Sequence, residues 1–403
     1  MLSENQQTQF CLENLKDQKV NKDYQVKKWD EKKKKIVKVK IQITFTQDNQ
    51  MIYQQEGVIL RQEFNQDDFR DQEILTDMEQ IQFLQWQGEY GPNQKKQGKW
   101  IAIWKGEMIE EVGGYYENGL KLGQWKQPSK SYWSQAQLYE SGEYFLDQKL
   151  GRWNYIYDNQ IIGGGSYDQA GGQNKIGYWI DYDDRFSNYR QVAHNGQYEN
   201  GKKVGRWEIE YRYDNNYPFS KIGGGLYKDG LKHGQWTDLD EDFSEEKQVT
   251  HNGEYQNEIK VGRWDIEYRL NSEKLFTKIG GGQYVDGVKN SKWIELDEEF
   301  QNAKQVVLNG EYKNGKKMGR WDIEYRSYKI IIQIGNSGGG QYDDGVKIGN
   351  WIDLDEEFKY LKQIIHNGEY QNGKKVGVWV EMKRVWYLME EGFKKVNEIK
   401  YDI

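Results

Sequence analysis

A twelve-residue phrase, G-x-Y-x-x-G-x-K-x-G-x-W, recurs along this chain. It constrains the fold more than any other feature, because tandem self-similarity means one small unit stacked on copies of itself. The clearest copies occupy residues 196–207 and 310–321. Eleven units close on Trp100, Trp125, Trp153, Trp179, Trp207, Trp236, Trp264, Trp293, Trp321, Trp351 and Trp379, at intervals of 25 to 30 residues. Two kinds of unit alternate, so the true period is near 57 residues, the spacing of Trp207, Trp264 and Trp321. One kind reads N-G-E-Y, a basic turn, then W-D-I-E-Y-R; the other reads I-G-G-G-x-Y, a D-G turn, then W-I-D-L-D-E-E-F.

Each unit reads as a β-hairpin, since two runs rich in Tyr, Trp, Ile and Val flank Asn-Gly or Asp-Gly, the strongest short-range hairpin signal. Asn200-Gly201, Asp229-Gly230, Asp286-Gly287, Asn314-Gly315, Asp344-Gly345 and Asn372-Gly373 are the clearest turns. Eleven hairpins in order predict an all-β, elongated, single-layer antiparallel meander, on the order of 100 Å long at about 4.8 Å per strand. A hydrophobic share of 36% and a mean hydropathy of -1.04 would by themselves suggest a solvated polymer. The 16 Trp, 30 Tyr and 13 Phe argue the reverse and place the core on aromatic rings.

Strand periodicity assigns faces. Trp264, Ile266 and Tyr268 share one face, and Val306, Leu308, Gly310 and Tyr312 join the aromatic side. The expected structural ladder is Tyr198, Trp207, Tyr255, Trp264, Tyr312, Trp321, Tyr370 and Trp379. The glycine before each tyrosine leaves room for a neighbouring ring to lie over its backbone.

The repeat resembles the MORN family, in the variant form that closes each unit on Trp, as in ciliate tandem-repeat proteins. The resemblance covers residues 88–379, with Glu258 in place of a turn glycine and Ser291 in place of the glycine before a closing tryptophan. It implies a sheet of hairpins used as a scaffold or membrane-proximal adaptor.

Outside the array, residues 1–35 are polar and read as a mobile arm. Residues 36–87 are expected to form an N-terminal cap. There Val37, Val39, Ile41, Ile43 and Phe45 alternate as a strand, residues 58–60 supply its partner, and Thr76 and Glu79 cap a short helix. Residues 380–403 close the far end, because a sheet left with bare edges invites pairing. The one cysteine, Cys11, leaves no intramolecular disulfide and points to a reducing compartment. No signal-like start and no apolar run of spanning length is present, so the expected location is cytoplasmic, with cilium or cytoskeleton suggested by the resemblance.

Chemistry is hard to find. His194, His251 and His366 precede N-G where the remaining copy has Leu308, and leucine ligates no metal. The acidic runs at 238–242, 295–299 and 353–357 lack the glycine and distal glutamate of a calcium loop and read as solvated. The Gly-Gly-Gly runs precede no helix and are poor phosphate cradles. No nucleophile elbow, nucleotide loop or zinc-protease motif occurs, so no catalytic residue, metal or cofactor is expected and the chain reads as non-enzymatic.

Charge is the remaining functional signal. Between each unit's tyrosine and tryptophan the net charge sums to +14, and over the connectors to -14. Turns line one edge of a meander and connectors the other, so one rim is expected to be basic and the other acidic. Lys202, Lys203, Arg206, Lys316, Lys317, Arg320, Lys374 and Lys375 lead the basic rim. Its expected partner is an acidic protein surface such as a microtubule wall, in a scaffold or adaptor role. The alternative is an anionic or phosphoinositide membrane surface, at about 1 kcal/mol per well-placed cation. A net charge of -7 argues against nucleic acid.

Overall fold

Alternating apolar and polar residues between Asn/Asp-Gly pairs leave the backbone one good option, the two-residue hairpin, and most of the described units take it, with longer turns between Tyr90 and Lys96 and between Tyr167 and Lys175. The computed structural model describes residues 20–32, 35–46, 48, 50–64, 74–92, 94–169, 172–188, 190–270, 275–327, 330–332, 338–359, 361–384 and 392–401. The chain divides into two compact units, Met1–Lys203 with Ile209–Ser220 and Val204–Glu208 with Lys221–Ile403.

The first unit begins with a four-stranded antiparallel sheet in sequence order, β1 (Val20–Asp30), β2 (Lys35–Phe45), β3 (Gln50–Gln55) and β4 (Val58–Phe64). The polar stretch expected to be a mobile arm is therefore a strand from Val20 onward. β1 pairs with β2 along its whole length, and Val26, Ile41, Ile43, Met51 and Tyr53 form one buried cluster with Met78 and Ile81. Three lysines and two acids hide this strand in a sequence reading, because the face that carries Val26 has only Val20 and Tyr24 as further large apolar or aromatic residues. Residues 1–19, with Cys11, lie outside the described residues. β4 pairs with β3 and not with β2, so residues 58–60 sit one strand further out than expected. Helix α1 (Met78–Phe83) starts at Asp77, whose carboxylate accepts from the Glu79 and Gln80 amides. Asp77 is the cap rather than Thr76 because it sets both amides within reach of one oxygen.

From Leu84 to Tyr401 the strands pair in sequence order as one long antiparallel meander of eleven hairpins. The sheet is open. Leu84–Tyr90 pairs with Lys96–Trp104, and at the other end Lys394–Tyr401 pairs with Lys374–Arg384. This last strand pairs with the outer strand of the eleventh hairpin; Trp386 and Tyr387 lie outside the described residues.

Hairpin tips are stitched to one another. The turns put Asn314 and Gly315 at φ 49° and 80°, as the mirror-image two-residue turn requires. The Gly315 amide then donates to the Lys289 carbonyl of the preceding hairpin at 2.9 Å, and Gly345 repeats this to Lys317 and Gly373 to Lys347. Glu258, in place of a turn glycine, holds φ at 70° and keeps the amide bond to the Lys232 carbonyl. Its carboxylate also accepts from the Lys232 amide, a compensation glycine lacks.

Candidate functional site

The repeat builds one continuous stack in each unit. In the second unit Trp236, Tyr255, Trp264, Tyr284, Trp293, Tyr312, Trp321, Tyr342, Trp351, Tyr370, Trp379 and Tyr401 follow one another edge to face. Their ring centroids are 5.0 to 6.3 Å apart and the rings are inclined at 76° to 88°. The first unit carries the same alternation from Tyr90 through Trp179 to Tyr198. Edge-to-face geometry sets the positive rim of one ring on the negative face of the next. Glycine makes room: a Cβ at Gly310 would stand 2.2 Å from the Trp321 ring, and one at Gly282 would stand 2.2 Å from Trp293. Trp264, Trp321 and Trp379 are buried, and so are Tyr198, Tyr255, Tyr312 and Tyr370. The ladder expected from the sequence is therefore structural, and its tryptophans are closed to ligands.

Lysines close it. Lys317 Nζ lies 4.3 Å from the Trp321 ring and 5.4 Å from Tyr342; Lys347 lies 4.3 Å from Trp351 and 4.9 Å from Tyr370; Lys375 lies 4.1 Å from Trp379. A desolvated ammonium over an indole face contributes about 2 kcal/mol. Carboxylates two residues past Trp293 and Trp351, on the same strands as those rings, complete the steps. Glu295 pairs with Lys289 at 2.9 Å and with Lys317, and accepts the Tyr312 hydroxyl at 2.7 Å. Asp353 does the same for Lys347, Lys375 and Tyr370. Burial pushes the Glu295 carboxyl up, but the two ammonium groups and these hydrogen bonds outweigh it and hold the group below the usual carboxylate range. Burial, with the neighbouring carboxylate, drives the Tyr312 and Tyr370 phenols well above their ordinary value.

The eight basic residues proposed for the rim thus separate into three sets. Lys317 and Lys375 belong to the stack, and Lys203, half-buried, holds the equivalent place in its own hairpin. Lys202, Lys316 and Lys374 are exposed at the tips, with Lys316 bonded to Asp344 at 2.5 Å. Arg206 and Arg320 point outward and are also exposed, each beside an acid two residues on, Glu208 at 3.9 Å and Asp322 at 2.8 Å. The rims of opposite sign are correspondingly weaker than residue counts suggest, because Glu295 and Asp353, counted with the connectors, neutralise lysines counted with the turns.

No protein-family model matches this chain, and no curated protein matches it in sequence. Its own repeats are the best guide to the rest.

The acidic connectors, expected to be solvated, are ordered turns built alike. Asp240, Asp297 and Asp355 each accept the amide two residues on at 3.0 to 3.1 Å, and each carbonyl accepts from a buried phenylalanine, Phe243, Phe300 or Phe358. A cation seven residues on returns to the same carboxylate: Lys247 to Asp240 at 2.8 Å and Lys304 to Asp297 at 2.9 Å. In the first unit Arg190 returns to Asp183 at 2.5 Å. Phe300 packs with Val249, Ile266, Tyr268 and Val307, so the connector plugs the sheet instead of leaving it. The histidines belong to these turns. His251 Nε2 is 3.2 Å from Asp240 and His366 Nε2 is 3.1 Å from Asp355. Where the repeat has Leu308, Asp297 pairs with Lys304. Burial drives the His194 imidazole down to about 4 against the pull of Asp183. For Asp240, burial is outweighed by His251 and Lys247, which hold it well below the usual range.

Among the described residues no group of three or more His, Cys, Asp or Glu is placed to hold a metal ion. An open recess lined by Gln97, Tyr115, Tyr116, Glu117, Leu122 and Gln124 brings no nucleophile and base together. Among the described residues no helix is long and apolar enough to cross a membrane. The repeat presents its tip cations outward in register.

Proposed function

We propose that this chain is a non-enzymatic scaffold of the MORN-like kind, cytoskeletal or ciliary, that holds protein partners with acidic surfaces along its hairpin tips. One observation carries the reading: the rings and half the lysines of each repeat are consumed inside the stack, while Lys202, Lys316, Lys374, Arg206 and Arg320 face outward at equivalent places. Lys316 and Lys374 are four strands apart, a spacing of about 19 Å that a partner with its own repeat can match. Evenly spaced weak contacts gain strength through multivalency rather than through any one site.

The test is charge reversal confined to the tips, Lys316→Glu, Arg320→Glu and Lys374→Glu together. Lys317 is left intact because its loss would disturb the stack. Binding to a microtubule polymer at low salt should fall steeply while tryptophan fluorescence stays unchanged. Undiminished binding removes the tips from the account. Retention on anionic vesicles without binding to polymer assigns the tips to a membrane surface instead.

A further inference from the structure

The connector turns show how they can be docked, because two of them already are. In the first unit Lys27 of β1 reaches across two consecutive turns of the second kind of repeat. Its Nζ donates to the Lys130 carbonyl at 3.1 Å and to the Asp184 carbonyl at 2.8 Å. Those carbonyls are equivalent. Each follows the residue that opens its turn, Ser129 or Asp183, and each opening carbonyl accepts from the aromatic plug, Tyr132 at 3.0 Å or Phe186 at 3.2 Å. Beside the lysine, Trp29 lies 5.4 Å from Trp133 and packs on the cluster of Trp133, Ala136, Leu138 and Phe186. β1 thus attaches by one ammonium between two turns and one ring on their apolar surface.

The second unit contains three turns of the same build, opened by Asp240, Asp297 and Asp355, and the last two form the consecutive pair compared with the first unit. Phe300 donates to the Asp297 carbonyl at 3.0 Å and Phe358 to the Asp355 carbonyl at 2.9 Å, and the bridges Gln301 to Lys304 and Lys359 to Lys362 match Trp133 to Ala136 and Ser187 to Arg190. The residues in the places of Lys130 and Asp184 are Glu298 and Glu356, both exposed. Leu361, 64% exposed, supplies an apolar surface at the second turn. Replacing a lysine and an aspartate by two glutamates makes the pair more attractive to a cation than the one that holds Lys27.

We propose that the turns Asp297 to Lys304 and Asp355 to Lys362 form a docking site for a lysine-bearing β-strand of a partner protein, its ammonium taken between Glu298 and Glu356 and its apolar side chain laid on Leu361. The occupied turns of the first unit specify that chemistry, and the carboxylates complement it. The site lies on the connectors and is independent of the tip cations.

A disulfide-cyclised hairpin peptide with the sequence of residues 20–45, shown by circular dichroism to be β, serves as the probe against the full-length chain. Saturable, salt-sensitive binding is expected. It should weaken by about tenfold or more when Lys27 of the peptide becomes Gln, and likewise when the protein carries Glu298→Lys with Glu356→Lys. Leu361→Asp in the protein should weaken it as well. The tip variant Lys316→Glu, Arg320→Glu, Lys374→Glu should bind the probe as well as the unaltered chain, which separates this site from the tips. Absence of saturable binding by the folded hairpin, or equal affinity for the glutamate-reversed protein, overturns the proposal.

Discussion

Replacing Trp264 by alanine removes the ring that couples two hairpins. Its indole is 2% exposed, lies 5.0 Å from Tyr255 and 6.1 Å from Tyr284, sits beneath Lys260 at 4.1 Å, and donates from Nε1 to the Glu254 carbonyl at 3.2 Å. Burying an indole removes about 200 Å² from water, worth about 5 kcal/mol at the usual coefficient. Measured losses for large-to-small changes of this size are about 3 to 5 kcal/mol and already contain the ring and ammonium contacts. A repeat protein opens locally, so the loss should appear in hydrogen exchange of residues 248–269 rather than as a global shift. Amide protection there should fall by about a thousandfold, the equivalent of about 4 kcal/mol. A fall of less than about fivefold, or one spread evenly over both units, would refute the claim that the ring is a local rivet.

Acid should loosen the connectors. His194 has a folded pKa of about 4 against an ordinary 6.5, so its contribution is present above pH 6.5 and is lost as pH falls toward 4, by about 3 kcal/mol. Asp183 and Asp240 are held below their ordinary values and act in the same direction. Local melting of residues 183–194, followed by exchange between pH 7 and 4.5, checks this, and equal protection at both pH values contradicts it. Ser291 holds φ at 62°, where its counterparts Gly262 and Gly319 sit at 66° and 65°, so Ser291→Gly should stabilise the chain by about 0.5 to 1 kcal/mol in denaturant melts. Lys317→Met should cost about 1 to 2 kcal/mol by removing the ammonium from two rings and Glu295, whereas Lys316→Met at the tip should change stability by less than about 0.5 kcal/mol. Equal effects at the two positions would erase the distinction between stack and tip.

The hairpins were legible because their information is local. Asn314-Gly315 specifies a turn, and the period of two in Trp264, Ile266 and Tyr268 specifies a buried face; all three are buried. What escaped is information carried by pairs far apart. Lys317 reads as one of two adjacent tip lysines, and only its spacing to Glu295 on the previous hairpin shows that it belongs to the stack. A partial signal was available as K-x-x-x-W, shared by Lys289, Lys317 and Lys347, with an acid two residues past Trp293 and Trp351. The connector turns were missed for a similar reason. Charge density drew attention to Asp297, Glu298 and Glu299, while the organising feature is an acid, a phenylalanine three residues on and a cation seven residues on, as in Asp240, Phe243 and Lys247. β1 was missed because its alternation contributes one fully buried residue, Val26, and the remainder of its face is closed by elements distant in sequence.

Ring-current shifts test the stack most directly. The indoles of Trp264, Trp293 and Trp321 lie against the α-carbons of Gly253, Gly282 and Gly310. In a glycine-labelled sample the α-protons of these residues should resonate well upfield of unstructured glycine and show dipolar contacts to the facing indole protons. Turn glycines such as Gly315 should not. Ordinary glycine shifts at Gly253, Gly282 and Gly310, with no contact to tryptophan, would contradict the ladder and with it the assignment of function to the outward-facing cations.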